Sequence, residues 1–377
     1  VSTLEFMRRL PFIVLLALFT ASCGGGGTAT EPTDGVGQMA DATTEPATTE
    51  APSTEAPTTT EAQPQARDLV VRPEASTVPN LLALGRPIVA GHAGGDQAYP
   101  HSTMYGFTEA ALSGVDVLEM DVQLTGDGVL VVQHDDTVDA TTEATGAVRD
   151  LTLAELQALD NGFWWNDDWQ NQDREPAAYR WRGVRTGAVA PPAGYGPDDF
   201  RVETFRSIAQ AFPDHVLDVE IKVPRTANGD LDIEFAIAGA QALADEIEAL
   251  NRTDSVIVVS FNGEVLSAFR EFAPEVATSP AEDELVAWYL GVGGVHPNDR
   301  VAQVPPTFEA INVLAPDVVA RVHDAGLAMW IWPNNASEQE NADFYAEVIA
   351  AGADGIIAGR PADAVARYRA DGLIPSQ

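Results

Sequence analysis

Two carboxylates, Glu119 and Asp121, stand two residues apart in the stretch LEMD, and Glu220 and Lys222 repeat that spacing in VEIK. Residues i and i+2 of a β-strand project to the same face, so within apolar strands each pair points one way. His92 closes the apolar run IVAGH, and His134 closes VLVVQH. Three carboxylates gathered on one rim repel one another and raise each other's pKa unless positive charge sits among them. A hard divalent cation bound through oxygen, Ca²⁺ or Mg²⁺ with water completing its shell, answers that need. Two histidines beside it suit general acid–base work near neutral pH, and the cation can polarise a phosphoryl oxygen. Lys222 is the only lysine in a chain that otherwise uses arginine. A compact ammonium fits a crowded phosphate site better than a planar guanidinium.

The elements that must position these groups alternate. RPIVAGH, DVLEMDVQLT, VLVVQHD, VLDVEIK, SVIVVSF, LAMWIW and ADGIIAG read as strands, and Gly126-Asp127-Gly128 turns the second into the third. STMYGFTEAALSGV, TLAELQAL, LDIEFAIAGAQALADEIEAL and ADFYAEVIAAG read as helices between them. Alternating β and α units predict a parallel sheet, and residues 80–377 are long enough for an α/β TIM (β/α)8 barrel with an insertion. The chemistry falls at strand C-terminal ends, where that fold keeps its active sites. A doubly wound sheet lacks its glycine-rich turn after the first strand. Four strands are expected to deliver two histidines, three carboxylates and a cation to one rim.

The motifs HAGG followed by PHST, the block EMDVQLTGDGVLVVQHD, LTLAELQALD, VEIK and GADGIIAGRP together resemble the glycerophosphodiester phosphodiesterase family, over roughly residues 86–365. The resemblance implies a metal-dependent barrel that hydrolyses a phosphodiester to glycerol phosphate and an alcohol such as choline or ethanolamine. It makes His92 and His134 the acid–base pair, Glu119, Asp121 and Glu220 the metal ligands, and Lys222 the phosphate-side lysine. Trp332 falls where the family places a substrate-contacting tryptophan. Four positions depart from the pattern: Ala93 replaces an arginine, His101 a glutamate, Ala140 an arginine, and Ala358-Gly359 a Thr-Asp pair. A related lyase that closes a cyclic phosphate, and a barrel that binds phosphodiesters without cleaving them, are the alternatives. His101 precedes a helix capped by Ser102 or Thr103 and reads as structural, with a donor role at the phosphate as the other option.

Residues 161–202 break the βα rhythm and hold Trp164, Trp165, Trp169 and Trp181. A self-packed subdomain over the barrel rim is one expectation for so long an irregular stretch. The other is a lid whose aromatic rings hold a quaternary ammonium, with Arg182 and Arg185 supplying the positive charge missing at Ala93.

A formal charge of −36 and a pI near 4.2 argue against nucleic acid or an anionic membrane surface as the main partner. No obligate protein partner is expected. Ahead of the barrel, Arg8 and Arg9, an apolar run from Pro11 to Phe19 and small residues before Cys23 build an export signal over residues 1–23. It resembles a lipoprotein signal with Cys23 as the lipidated residue, and Met7 is its expected start. Residues 24–79 read as a linker. Its stretch 24–66 has seven acids, no base and no aromatic residue, a composition too polar to form a core. The chain is thus expected to be exported and tethered to the outer face of a bacterial membrane by lipid, or secreted.

Overall fold

The computed structural model describes residues 65–167 and 171–375, all within the compact unit Glu61–Gln377. The expected signal with Cys23, most of the linker and Trp169 lie outside the described residues.

Eleven strands are β1 (Ile88–Gly91), β2 (Val117–Leu124), β3 (Leu130–Val132), β4 (Val216–Ile221), β5 (Val256–Val259), β6 (Ala277–Thr278), β7 (Val301–Val304), β8 (Thr307–Phe308), β9 (Ile311–Asn312), β10 (Ala328–Ile331) and β11 (Gly355–Ala358). Eight of them form one parallel sheet in the order β6-β5-β4-β2-β1-β11-β10-β7. The two ends of the sheet are joined by an isolated parallel bridge between Thr278 of β6 and Asp299, two residues before β7. Thr278 N–H donates to Asn298 O at 3.0 Å, and Arg300 N–H donates to Thr278 O at 2.9 Å. The sheet is thereby closed into the expected barrel. β8 and β9 make a separate two-residue hairpin.

Strand parity sorts the side chains. In β2, Leu118, Met120 and Val122 join the core shared with the outer helices, and in β4 so do Leu217, Val219 and Ile221. The other parity faces the barrel interior, where Ile88, Ala90, Val117, Val216, Ile257, Val301, Trp330 and Ile357 pack together. Glu119, Asp121, Asp218 and Glu220 share the inward parity, because each lies an even number of residues from Val117 or Val216.

Two sequence expectations are corrected. The apolar run before His134 is no barrel strand: β3 pairs antiparallel with β2 and sits off the barrel path. Three barrel strands and one hairpin therefore build the rim. Residues 65–79, read as linker, belong to the fold. Ala75 and Val78 are buried with Leu81 in the interior cluster, and Val78 N–H donates to Asp254 O, just before β5, at 2.8 Å. The helix Val78–Leu82 is capped by Thr77 with Pro79 in its first turn and stoppers the end opposite the strand C-termini. Upstream, Ala66 N–H donates to Gly194 O at 3.0 Å, and Arg72 pairs with Asp214 at 3.1 Å. Polar linker composition concealed these few anchoring residues.

The insertion packs on itself and on the segment after β1. Tyr105 stacks on Phe200 with centroids 4.8 Å apart, and Trp181 and Tyr195 stand 4.9 and 4.8 Å from the same ring. Trp165 Nε1 donates to Asp96 O at 3.0 Å, and Asn161 Nδ2 to His101 O at 3.3 Å.

Candidate active site

β1 ends at Gly91, and His92 begins a short 3₁₀ turn with Ala93 and Gly94. Ala93 takes φ 45°, a left-handed conformation that a Cβ normally resists. The turn aims Ala93 N–H at Glu119 Oε2, 2.6 Å away. His92 stands with Nδ1 3.1 Å from Asp96 Oδ1 and Nε2 4.0 Å from Glu119 Oε2.

His134 comes back to the rim from the β2–β3 hairpin. Gln133 N–H donates to Asp121 O at 3.0 Å, and the buried Gln123 amide donates to Gln133 O and Asp135 O at 3.0 and 2.8 Å. This clamp sets the His134 backbone, and its Nδ1 lies 2.7 Å from Asp135 Oδ1. Each histidine thus has a carboxylate at Nδ1, which leaves Nε2 as the atom for proton exchange.

Lys222 lies between two carboxylates, with Nζ 3.0 Å from Glu220 Oε1 and 3.4 Å from Asp121 Oδ1. Its own N–H donates to Val122 O at 3.1 Å, continuing the β4–β2 ladder. Burial acts to raise the Asp121 pKa, but the charges of Lys222, His134 and His92 outweigh it and hold the group at about 2. Burial wins at Glu119, which rises well above the carboxylate range despite His92, and at Glu220, which rises despite Lys222. At His92, Asp96 and Glu119 overcome burial and raise the imidazole well above its ordinary value. At His134, Asp121 raises it against the opposing charge of Lys222.

The donor set suits a hard divalent cation. Glu119, Asp121 and Glu220 supply carboxylate oxygens from two adjacent strands, and Asp121 Oδ2 is buried with no hydrogen-bond partner. Among the described residues, no group of three or more His, Cys, Asp or Glu side chains already converges as a metal cage, and the Lys222 ammonium lies between two of the three carboxylates.

The remaining sequence candidates divide. Trp332 follows β10 with its N–H on Val304 O at 3.2 Å, and its ring lies 6.3 Å edge-on from the exposed Phe261. His101 is buried, its Nδ1 3.0 Å from Ser102 Oγ, and burial lowers its pKa. Arg182 is enclosed by the rings of Tyr179, Phe163 and Trp164 at 4.0, 4.2 and 4.5 Å, and its Nε donates to Phe163 O. Arg185 binds Gln157 O and pairs with Asp198 at 3.0 Å. Arg182 is thus enclosed by rings of the insertion, and Arg185 ties the insertion to the preceding helix Leu153–Ala158.

Three acids were not foreseen. Asp135 sits beside His134 in the sequence, and Asp218 continues the alternation of Glu220 and Lys222 backward by one step; both signals were readable. Asp218 is fully buried, accepts from Gln303 Nε2 at 2.8 Å, and is pushed by burial to about 7. Asp96 carries no periodic signal, because it lies in an irregular loop.

The family model of the glycerophosphoryl diester phosphodiesterase family matches residues 92–363. A glycerophosphodiester phosphodiesterase of Caldanaerobacter subterraneus subsp. tengcongensis is 27% identical over 278 residues, 73% of this chain and 95% of that protein. One of Bacillus subtilis is 27% identical over 211 residues, 56% of this chain and 64% of its own length, so that less than two thirds of that relative is spanned. The fold matches an Oleispira antarctica phosphodiesterase solved in complex with the product sn-glycerol-3-phosphate, with a TM-score of 0.55 and 18% identity over 76% of this chain and 99% of the other. With the match running from His92 at the rim to the helix after β11, the chain belongs to the glycerophosphoryl diester phosphodiesterase family.

Proposed function

We propose that the protein hydrolyses glycerophosphodiesters to glycerol phosphate and an alcohol by two-histidine acid–base catalysis. The observation that carries this reading is that His92 and His134 both lie within electrostatic reach of Asp121, which Lys222 also contacts, each imidazole with a carboxylate at Nδ1. One Nε2 takes the proton of the attacking hydroxyl, from water or substrate, and the other returns a proton to the leaving alcohol oxygen. Lys222 offsets negative charge developing on the phosphoryl oxygens. Glu119, Asp121 and Glu220 would hold Ca²⁺ or Mg²⁺, whose charge when bound polarises a phosphoryl oxygen. Trp332, with Phe261 beside it, offers an apolar wall to the organic part of the diester. His101 supports the loop that carries His92.

The substrate would be a small or lipid-derived phosphodiester, and the N-terminal segment ending at Cys23 would place the enzyme outside the cell on a lipid tether. Release of choline or glycerol phosphate from glycerophosphocholine, with Ca²⁺, with Mg²⁺ and with chelator, tests the activity. Cation-dependent release of both products supports hydrolysis, a cyclic phosphate product replaces it by the lyase reading, and binding without turnover ends the enzymatic reading.

A further inference from the structure

Gly359, the residue after β11, is glycine for a reason other than backbone geometry, since it is absent from the positive-φ glycines. A Cβ built there would lie 2.3 Å from Asp96 Oδ1, 2.6 Å from Gln97 Cγ and 3.0 Å from Glu340 Oε1. The space a side chain would need is already filled by the Asp96 carboxylate.

That carboxylate is locked from several sides. Asp96 N–H donates to His92 O at 3.2 Å, and Gln97 N–H donates to Gly359 O at 3.1 Å, so the loop is stitched to β11 where Gly359 leaves it. The Gln97 amide donates to Asp96 Oδ2 at 3.0 Å, and Trp165 of the insertion fixes the Asp96 carbonyl. The opposite wall is set by Glu340, whose carboxylate accepts from Gly359 N–H, Arg360 N–H and the Tyr345 hydroxyl. Held this way, Asp96 Oδ1 is buried, lacks an aligned hydrogen-bond donor and stands 3.1 Å from His92 Nδ1.

Building on the hydrolytic reading above, we propose that Asp96 is the positioning residue for His92. It orients the imidazole through Nδ1 so that Nε2 faces the rim, and Gly359 exists to leave room for it. Position 96 and position 359 therefore compete for one volume, and a carboxylate can reach it from either.

The test uses the full chain, saturated with divalent cation, and glycerophosphocholine as substrate. Asp96→Ala is expected to lower kcat about 10- to 100-fold with KM within about threefold, and Gly359→Ala to lower both kcat and Tm. The double variant Asp96→Ala/Gly359→Ala should recover Tm, because the clash is gone, while kcat stays low. Asp96→Ala/Gly359→Asp, which returns a carboxylate to the same volume, should regain at least about tenfold of the lost kcat. A purely structural Asp96 would instead let kcat follow Tm through the series. Side-chain ¹H–¹⁵N spectra of the histidines, with His92 assigned by its replacement, give a readout independent of turnover. The His92 Nδ1 signal should move in Asp96→Ala while the His134 signals stay put. An unmoved His92 signal, or wild-type kcat in Asp96→Ala, overturns the proposal. An enzyme that cleaves no diester overturns the hydrolytic reading alone, since the His92 signal still decides the role of Asp96.

Discussion

Ala93 N–H reaches Glu119 Oε2 at 2.6 Å while Ala93 itself is held at φ 45°. The first strand's turn thus satisfies a buried carboxylate with a main-chain donor, at the cost of a left-handed alanine. That conformation costs about 1–2 kcal/mol for a residue with a Cβ. Ala93→Gly removes the strain, offset in part by the greater entropy of the unfolded chain. It should leave stability unchanged or raise it by up to about 1 kcal/mol, whereas Ala93→Val should lower it by about 1–2 kcal/mol. Urea denaturation midpoints check both, and a stabilised valine variant would remove the strain argument.

His92→Ala and His134→Ala should each reduce kcat by about 100-fold or more, since each deletes one proton-transfer group. His101→Ala should change kcat by less than about fivefold while costing about 1–3 kcal/mol of stability, as a buried polar side chain is lost. Parallel kinetics and melts of the three variants check this. A His101→Ala defect in kcat as deep as that of His92→Ala would move His101 into the reaction.

Chelator should abolish turnover, and Ca²⁺ or Mg²⁺ should restore it. Cation at about 100 times its Kd should also stabilise the fold by about 2.7 kcal/mol. Glu119→Gln and Asp121→Asn should remove most of that thermal shift. Differential scanning calorimetry with and without cation reads it directly, and a shift that survives both substitutions would place the cation elsewhere.

His215 offers a pH dependence remote from the rim. Burial pushes this imidazole down to about 4, and its Nε2 is buried with no partner. The unfolded chain, with a pKa of about 6.5, takes up the proton first, so stability is complete above that value. It falls as pH drops from about 6.5 toward 4, by about 3 kcal/mol in total, and levels off below. His215→Gln should flatten this part of the curve of unfolding free energy against pH. Identical slopes in the two proteins between pH 6.5 and 4 would contradict the prediction.

The two-residue spacing of Glu119–Asp121 and Glu220–Lys222 was legible because strand parity is written directly into the chain, and strand alternation made the barrel legible with it. The role of β3 was not, since an apolar run before His134 reads the same in a barrel strand and in an antiparallel hairpin; only long-range pairing separates them. Asp96 escaped for a related reason. Its meaning depends on Gly359, 263 positions away, and no local pattern links an acid in a loop to an absent side chain. Arg182 shows the reverse limit, for an arginine near a suspected rim looks available until its three enclosing rings are seen.

The short helix Val78–Leu82 bears on where the complete barrel begins. Val78 and Leu81 seal the barrel floor together with Ala75, and burying each larger side chain is worth about 1.5–3 kcal/mol. A chain trimmed to the first barrel strand would keep every residue of the rim yet lie open at the base, admitting water beneath Asp218 and Trp330. The smallest complete barrel is therefore a closed cup, and its floor is laid down before the first strand of its wall.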